Sequence, residues 1–310
     1  MKEHNGASHF KSDRQSVVTI GTFDGVHIGH KAILQRLVDT AAKEDLDSVL
    51  LTFHPHPRRV LQKDIDIKLL TTLSEKKKHL ANIGLDHLVI HPFTQEFSRL
   101  TAVEYVRDIL VGQLNAKKII IGYDHRFGRN RTANITDLKE FGRLYNFEIE
   151  EIGVQELNEV AVSSTKIRKA IETGNMTTAN TYLGYPYSIS GTVVEGKRIG
   201  RTIAYPTANL KVDEAHKLIP CNGVYVTQTM MDGKRVFGMT SIGTNPTVGG
   251  IKKTIETYFL DLDKDLYKSH LQIEFLTHIR DEENFDSIIL LKEAIQKDEV
   301  FTKDFIKHHE

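Results

Sequence analysis

The stretch VVTIGTFDGVHIGHKAILQRL, residues 17–37, runs from an apolar strand pattern through a glycine-rich turn into a helical pattern. Val17 to Ile20 forms the strand. From Gly29 to Lys43 the residues Ile33, Leu34, Leu37, Val38 and Ala41 fall on one helical face. Gly21 and Gly25 suit a sharp backbone turn, and Gly29 lets a ligand approach the helix start. His27 and His30 are three apart, which brings both rings to one side of the opening turn. Free N–H groups and the helix dipole there favour an anion, by about 0.3–1 kcal/mol for the dipole at an exposed end. The same histidines can be read as cap-like surface residues. Zinc would require further ligands that the neighbouring sequence does not supply. His54 and His56, flanked by Pro55 and Pro57, read as a proline-stiffened loop with unpaired histidines.

Outward from this stretch the same grammar repeats. Strand patterns at Val49–Phe53, His87–Ile90, Ile119–Ile121 and Phe147–Ile152 alternate with helical ones at Ser74–Ile83, Ala102–Leu114 and Asp137–Tyr145. Thr101 and Glu104 stand in capping-box register. Near-continuous apolar strands separated by helices predict a doubly wound parallel sheet, which binds ligands at the C-terminal ends of its strands. After Gly184, Tyr185 and Pro186 the period changes. Short strands are expected at Ser188–Val194, Gly223–Met231, Arg235–Ile242, Ile255–Leu260 and Gln272–Leu276, with Asp232-Gly233 as a hairpin turn. Only Phe285–Ile306 looks helical. The expectation is an α/β domain over 1–184 and a small antiparallel β-barrel with a C-terminal helix over 185–310.

The 310 residues are 40% hydrophobic and 26% charged, with 41 basic residues balancing 41 acidic ones, which argues against a general nucleic-acid binder. Cys221 is the single cysteine, so no internal disulfide or cysteine-based zinc site exists, and a reducing cytoplasm fits. The polar N-terminus lacks a secretory h-region, and no apolar run reaches membrane-spanning length, so no membrane partner is expected.

In VSSTKIRKAI, residues 162–171, Ser163 or Ser164 can cap a helix that Thr165 opens, with Arg168 in its first turn facing an anion at the helix start. Together, G-T-F-D-G-V-H-x-G-H, T-F-x-P-H-P, G-x-D-x-x-F-G (122–128) and S-S-T-x-I-R resemble the FMN adenylyltransferase half of bacterial bifunctional riboflavin kinase/FAD synthetase. The resemblance implies that His27 and His30 contact ATP phosphates together with Gly21, Phe23 and Gly29. It implies that Ser163, Ser164, Thr165 and Arg168 hold the phosphates from the opposite side. Asp124 would lie in the nucleotide or flavin pocket, and Phe127 beside the flavin. His125 departs from the aromatic residue usual in the family.

Residues 191–198, GTVVEGKR, miss a Walker A match because Arg198 replaces the final Ser or Thr and no long apolar helix follows. The longer run G-T-V-V-E-G-K-R-I-G-R-T-I-A-Y-P-T-A-N-L resembles the riboflavin kinase half of the same family, as do T-I-E-T-Y-F-L-D-L (254–262) and R-D-E-x-x-F (280–285). By that resemblance Thr207 and Asn209 meet ATP phosphates and Mg²⁺, while Gly196, Lys197 and Gly200 close over the nucleotide. Glu256 would be the catalytic carboxylate, and Arg280 and Phe285 would lie near the flavin. Taken as a residue alone, Glu256 is equally the outward polar residue of an alternating strand. Ala204 and Val248 depart from the family's usual Gly and Phe. The implied function is ATP-dependent conversion of riboflavin to FMN and ADP, then of FMN to FAD and pyrophosphate, with the oligomeric state left open. Two rivals stay in play: an adenylyltransferase acting on another phosphorylated metabolite, and an RNA-binding module with an OB-like barrel.

Overall fold

The computed structural model describes residues 1–62, 66–122, 126–153, 162–196, 200, 203–247 and 250–309. The chain divides into two compact units, Met1–Ser164 and Thr165–Glu310.

The first unit is built on a six-stranded sheet in the order β1-β4-β3-β2-β5-β6, every neighbouring pair parallel. Its strands are β1 (Lys2–His4), β2 (Ser16–Ile20), β3 (Asp47–His54), β4 (His87–Pro92), β5 (Ala116–Gly122) and β6 (Glu148–Ile152). The helices are α1 (Ile28–Glu44), α2 (Pro57–Leu61), α3 (Leu73–Ala81), α4 (Ala102–Glu104) and α5 (Ile135–Tyr145). Alternation along the buried strands divides the core between the two faces. Val17, Leu50, Leu88 and Ile120 pack with Leu34 and Leu37 of α1 and Leu80 of α3. Val18, Val49, Val89 and Ile119 face the other way, against Tyr105, Val106, Leu110 and Leu138. This is the doubly wound arrangement expected.

Three local differences have clear causes. β1 lies in the polar N-terminal stretch and forms by edge pairing, Lys2 opposite His87 through His4 opposite Val89, so no apolar pattern marks it. The helix after Thr101 starts with the expected capping box, Glu104 N–H to Thr101 Oγ1 at 3.2 Å and Thr101 N–H to Glu104 Oε2 at 2.8 Å. It then continues as a π-helical stretch, Tyr105–Gln113, which side-chain periodicity over two turns does not distinguish from an α-helix. His56 is not unpaired: its Nδ1 accepts the Arg58 N–H at 3.2 Å and so caps α2.

The second unit opens with α6 (Ser164–Glu172, whose first residue belongs to the first unit) and α7 (Met176–Leu183) and then forms a closed antiparallel barrel. Its strands are β7 (Tyr187–Val194), β8 (Ala208–Val212), β9 (Gly223–Met231), β10 (Lys234–Thr247), β11 (Gly250–Phe259) and β12 (His270–Arg280), followed by α8 (Ile288–His309). The order around the barrel is β10-β11-β8-β7-β12-β9. Asp232 and Gly233 both take left-handed φ, 49° and 76°, between Met231 and Lys234, as a two-residue hairpin of this composition requires. Inside, the buried hydroxyls of Thr227, Thr240 and Thr257 form a chain with 2.9 and 2.8 Å links, so each of these three hydroxyls has a partner. α7 is tied to this unit by Asn180, whose Nδ2 donates to Phe275 O and whose Oδ1 accepts the Tyr187 N–H, both at 2.8 Å.

Candidate active sites

The turn between β2 and α1 is held in a conformation its residues would not adopt unaided. Phe23 (φ 46°) and Val26 (φ 35°) are left-handed, a genuine outlier for a β-branched valine. Gly25 (φ 86°) supplies the turn that its lack of a Cβ allows. Gly21 serves differently than expected: a Cβ there would lie 2.8 Å from the Phe23 ring, so it makes space rather than a turn. At Gly29 a Cβ would touch only the His27 ring, at an ordinary 3.4 Å, so internal packing does not demand glycine.

Anchors beneath the turn keep it strained. The buried Asp24 carboxylate accepts the N–H groups of Leu70 and Thr71 at 3.0 and 3.2 Å, and Gly25 N–H donates to Thr71 Oγ1 at 3.1 Å. Ser164 Oγ donates to Asp24 O at 3.0 Å. Lys76 Nζ and Thr52 Oγ1 both donate to Thr22 O, at 2.6 and 3.3 Å.

His27 and His30 come together as expected, their rings stacked at 3.6 Å and 15°. His27 is the N-cap: its Nδ1 accepts the His30 N–H at 3.3 Å, which leaves a neutral ring's proton on Nε2. The capping role and burial thus coexist, with His27 only 5% exposed. Burial lowers its pKa from an ordinary 6.5 to about 4, against the opposing field of Asp24. Burial, then the neighbouring His27 and Lys76, hold His30 well below its usual range. Near neutral pH both rings are therefore neutral hydrogen-bond donors rather than cations.

A pH dependence follows. Unfolded His27 takes up a proton below about 6.5, whereas folded His27 resists until about 4. Its depressed pKa leaves stability intact above pH 6.5 and removes it as pH falls to 4, about 3 kcal/mol for this group alone. The unfolding free energy of the wild type minus that of His27→Asn, from urea titrations, is expected to fall across that window. A difference independent of pH contradicts this.

In the second unit, β8 lies between β7 and β11 with Asn209 opposite both Val194 and Glu256. Thr207, just before β8, donates from Oγ1 to Glu256 Oε2 at 3.1 Å. A Cβ on Gly196 would fall 2.2 Å from the Asn209 amide, so the chain beyond β7 rests directly on that side chain. Gly200 O accepts the N–H groups of Ile203 and Tyr205 at 3.2 and 2.8 Å, and a Cβ there would lie 2.1 Å from Tyr205 O. Gly196, Thr207, Asn209 and Glu256, up to sixty positions apart in the chain, thus come together beside β8.

A family model described as FAD synthetase matches residues 9–166, and one described as riboflavin kinase matches 183–306. The bifunctional riboflavin kinase/FMN adenylyltransferase of Escherichia coli strain K12 is 38% identical over 93% of this chain and 92% of its own length. The chain belongs to the bifunctional riboflavin kinase/FMN adenylyltransferase family. The relative of the same description from Listeria monocytogenes is 36% identical over 95% of this chain and 93% of its own. A crystal structure described as a macrolide-efflux protein from Streptococcus pneumoniae is 31% identical, with a TM-score of 0.89 over 97% of this chain and 98% of that one. Among the described residues no helix is long and apolar enough to cross a membrane.

Other residues of the family motifs are placed less simply. Ser164 is the first residue of α6, so Ser163 takes the N-cap position and Arg168, as fifth residue, begins the second turn rather than lying in the first. Phe127 is buried in the core against Tyr105 and Phe141, with backbone bonds in both directions to Ala133. Arg280 makes a two-pronged ion pair with the buried Asp298 of α8 at 2.9 Å, and its guanidinium carbon lies 5.6 Å from the Phe285 ring centre. Ala204 takes φ 69°, a left-handed value that costs an alanine about 1–2 kcal/mol and glycine nothing, which explains the family's glycine. Asp124, His125, Lys197 and Val248 lie outside the described residues.

Proposed function

We propose that the two clusters divide the chemistry of the family between them. The enzyme phosphorylates riboflavin with ATP, giving FMN and ADP, and transfers an adenylyl group from a second ATP to FMN, giving FAD and pyrophosphate. The observation that supports this division is that each unit gathers a side-chain cluster of its own. His27, His30 and the Phe23 turn assemble in the first, and Gly196, Thr207, Asn209 and Glu256 in the second. We assign adenylyl transfer to residues 1–184 and phosphoryl transfer to 185–310.

In adenylyl transfer an FMN phosphate oxygen bonds to the α-phosphorus of ATP while the bond to the β-phosphate oxygen breaks. Nothing covalent is asked of the protein, so alignment and charge stabilisation suffice. His27 and His30 donate from neutral rings, with Gly21, Phe23 and Gly29 as the backbone cradle. Ser163, Ser164, Thr165 and Arg168 take the phosphate-holding role of their motif, and Asp124 is assigned to nucleotide or flavin binding by its own motif. In phosphoryl transfer Glu256 accepts the proton of the ribityl hydroxyl as that oxygen bonds to the γ-phosphorus, and the bond from the γ-phosphorus to the β-phosphate oxygen breaks to release ADP. Gly196, Lys197 and Gly200 cover the nucleotide, and Arg280 and Phe285 border the flavin.

A magnesium ion fits the kinase cluster, because Thr207 and Asn209 offer neutral oxygens beside a carboxylate, and such an ion takes oxygen ligands while retaining water and phosphate. Bound there, Mg²⁺ neutralises phosphate charge. We place the protein in the cytoplasm, where a chain with a single cysteine needs no disulfide. Incubated with riboflavin, ATP and Mg²⁺, the pure protein is expected to yield FMN and then FAD by chromatography, and chelation with EDTA to stop both. Neither flavin nucleotide appearing would refute the assignment.

A further inference from the structure

We propose that Lys76 is a positioning residue for adenylyl transfer, orienting the Thr22–Phe23 peptide so that the Phe23 N–H donates to the ATP phosphates. The proposal rests on the assignment of the β2–α1 turn to those phosphates.

Lys76 closes the first turn of α3, immediately after the capping box formed by Thr72 and Glu75. Its side chain is buried, with the residue 7% exposed, and its ammonium donates to Thr22 O at 2.6 Å. Among the described residues no carboxylate lies within ion-pair distance of it. Burying an ammonium with one acceptor is costly, and a methionine would fill the same space without that cost. The charge is therefore to be explained by what it does. Burial lowers the Lys76 pKa, and the nearby Asp24 opposes that lowering.

In a trans peptide the carbonyl and the following N–H point in opposite directions. Fixing Thr22 O from beneath, by Lys76 and the fully buried Thr52, therefore turns the Phe23 N–H to the other side of the turn. Among the described residues neither the Thr22 nor the Phe23 N–H has a hydrogen-bond partner. Phe23 itself stands at φ 46°, and its ring lies 4.7 Å from that of His30. A charge-assisted bond to the carbonyl also polarises the peptide and strengthens its N–H as a donor. Because the two histidines are neutral, Lys76 brings a positive charge to this corner of the molecule without placing the ammonium on the ligand.

The test uses the full-length protein with Lys76→Met. The kcat for FAD formation from FMN is expected to fall about 10²-fold with the KM for ATP changed less than about threefold, as for loss of a transition-state donor. Riboflavin phosphorylation by the same preparation is expected to stay at the wild-type rate. Lys76→Arg, which keeps a charged donor, is expected to recover most of the loss. In protein labelled with ¹⁵N-phenylalanine, α,β-methylene-ATP is expected to move the Phe23 amide proton downfield in the wild type and leave it in place in Lys76→Met. A purely structural lysine would lower the melting temperature and leave both kcat and the amide response intact, and that result overturns the proposal. If His30→Ala also leaves FAD formation intact, the turn is not the nucleotide site, and the assignment beneath the proposal fails instead.

Discussion

Replacing His30 with alanine is expected to abolish measurable FAD formation from FMN while FMN formation from riboflavin persists. The ring stacks on His27 and lies against Phe23, and its Nδ1 is buried with no partner among the described residues. Loss of one donor aimed at charge developing on phosphate typically costs 10²–10³-fold in kcat, about 3–4 kcal/mol. Disturbing the stack adds to this, because His27 then loses the ring that covers it. His30→Gln separates the contributions, since it restores an N–H donor without the stack. Arg168→Ala is expected to act in the same direction. Because His30 lies in the first unit and the kinase cluster in the second, riboflavin phosphorylation is expected to persist in His30→Ala. Adenylyl transfer at the wild-type rate in His30→Ala would exclude this turn as the phosphate site.

Glu256→Gln is expected to lower FMN production by about 10²–10⁴-fold, the contribution of a positioned general base, while FAD formation from added FMN continues. The substitution keeps the shape, and the glutamine carbonyl still accepts the Thr207 hydroxyl that Glu256 Oε2 accepts at 3.1 Å. Asn209, opposite Glu256 across the β8–β11 ladder, is likewise undisturbed. What disappears is the capacity to take a proton. A ribityl hydroxyl is a poor nucleophile without that help, so kcat falls more than the KM for riboflavin rises. Undiminished FMN production would assign the base elsewhere. The outcome also decides between two descriptions of the same residue, since an outward polar side chain on an alternating strand would be replaced without effect.

Much of the fold was legible because it is written in local periods. The strands β2 to β5 are built on short apolar runs, α1 carries its stripe, and Thr101 with Glu104 marks a helix start by short-range hydrogen bonds. β1 and β8 were not legible. The first is polar and held by edge pairing with β4, and the second is hidden inside the P-T-A-N motif, where the residues chosen for ligand contact obscure the alternation. That His27 and His30 face one side was anticipated from their spacing, but their electrostatic state was not. Whether a histidine is a cation or a neutral donor depends on how completely neighbouring chain excludes water from it, and no spacing in the sequence records that.

The amino-acid sequence alone determined that a parallel α/β domain precedes a small barrel, and which turns, caps and motif residues each contributes. Those properties follow from neighbours a few positions apart. Only the tertiary structure distinguished Lys76 from Lys77 and Lys78 beside it, made Asp24 an anchor of the turn, and bound Arg280 to Asp298. Each of these depends on a partner brought close by folding across a long separation, and on burial that makes a single hydrogen bond or charge count for far more than it would in water.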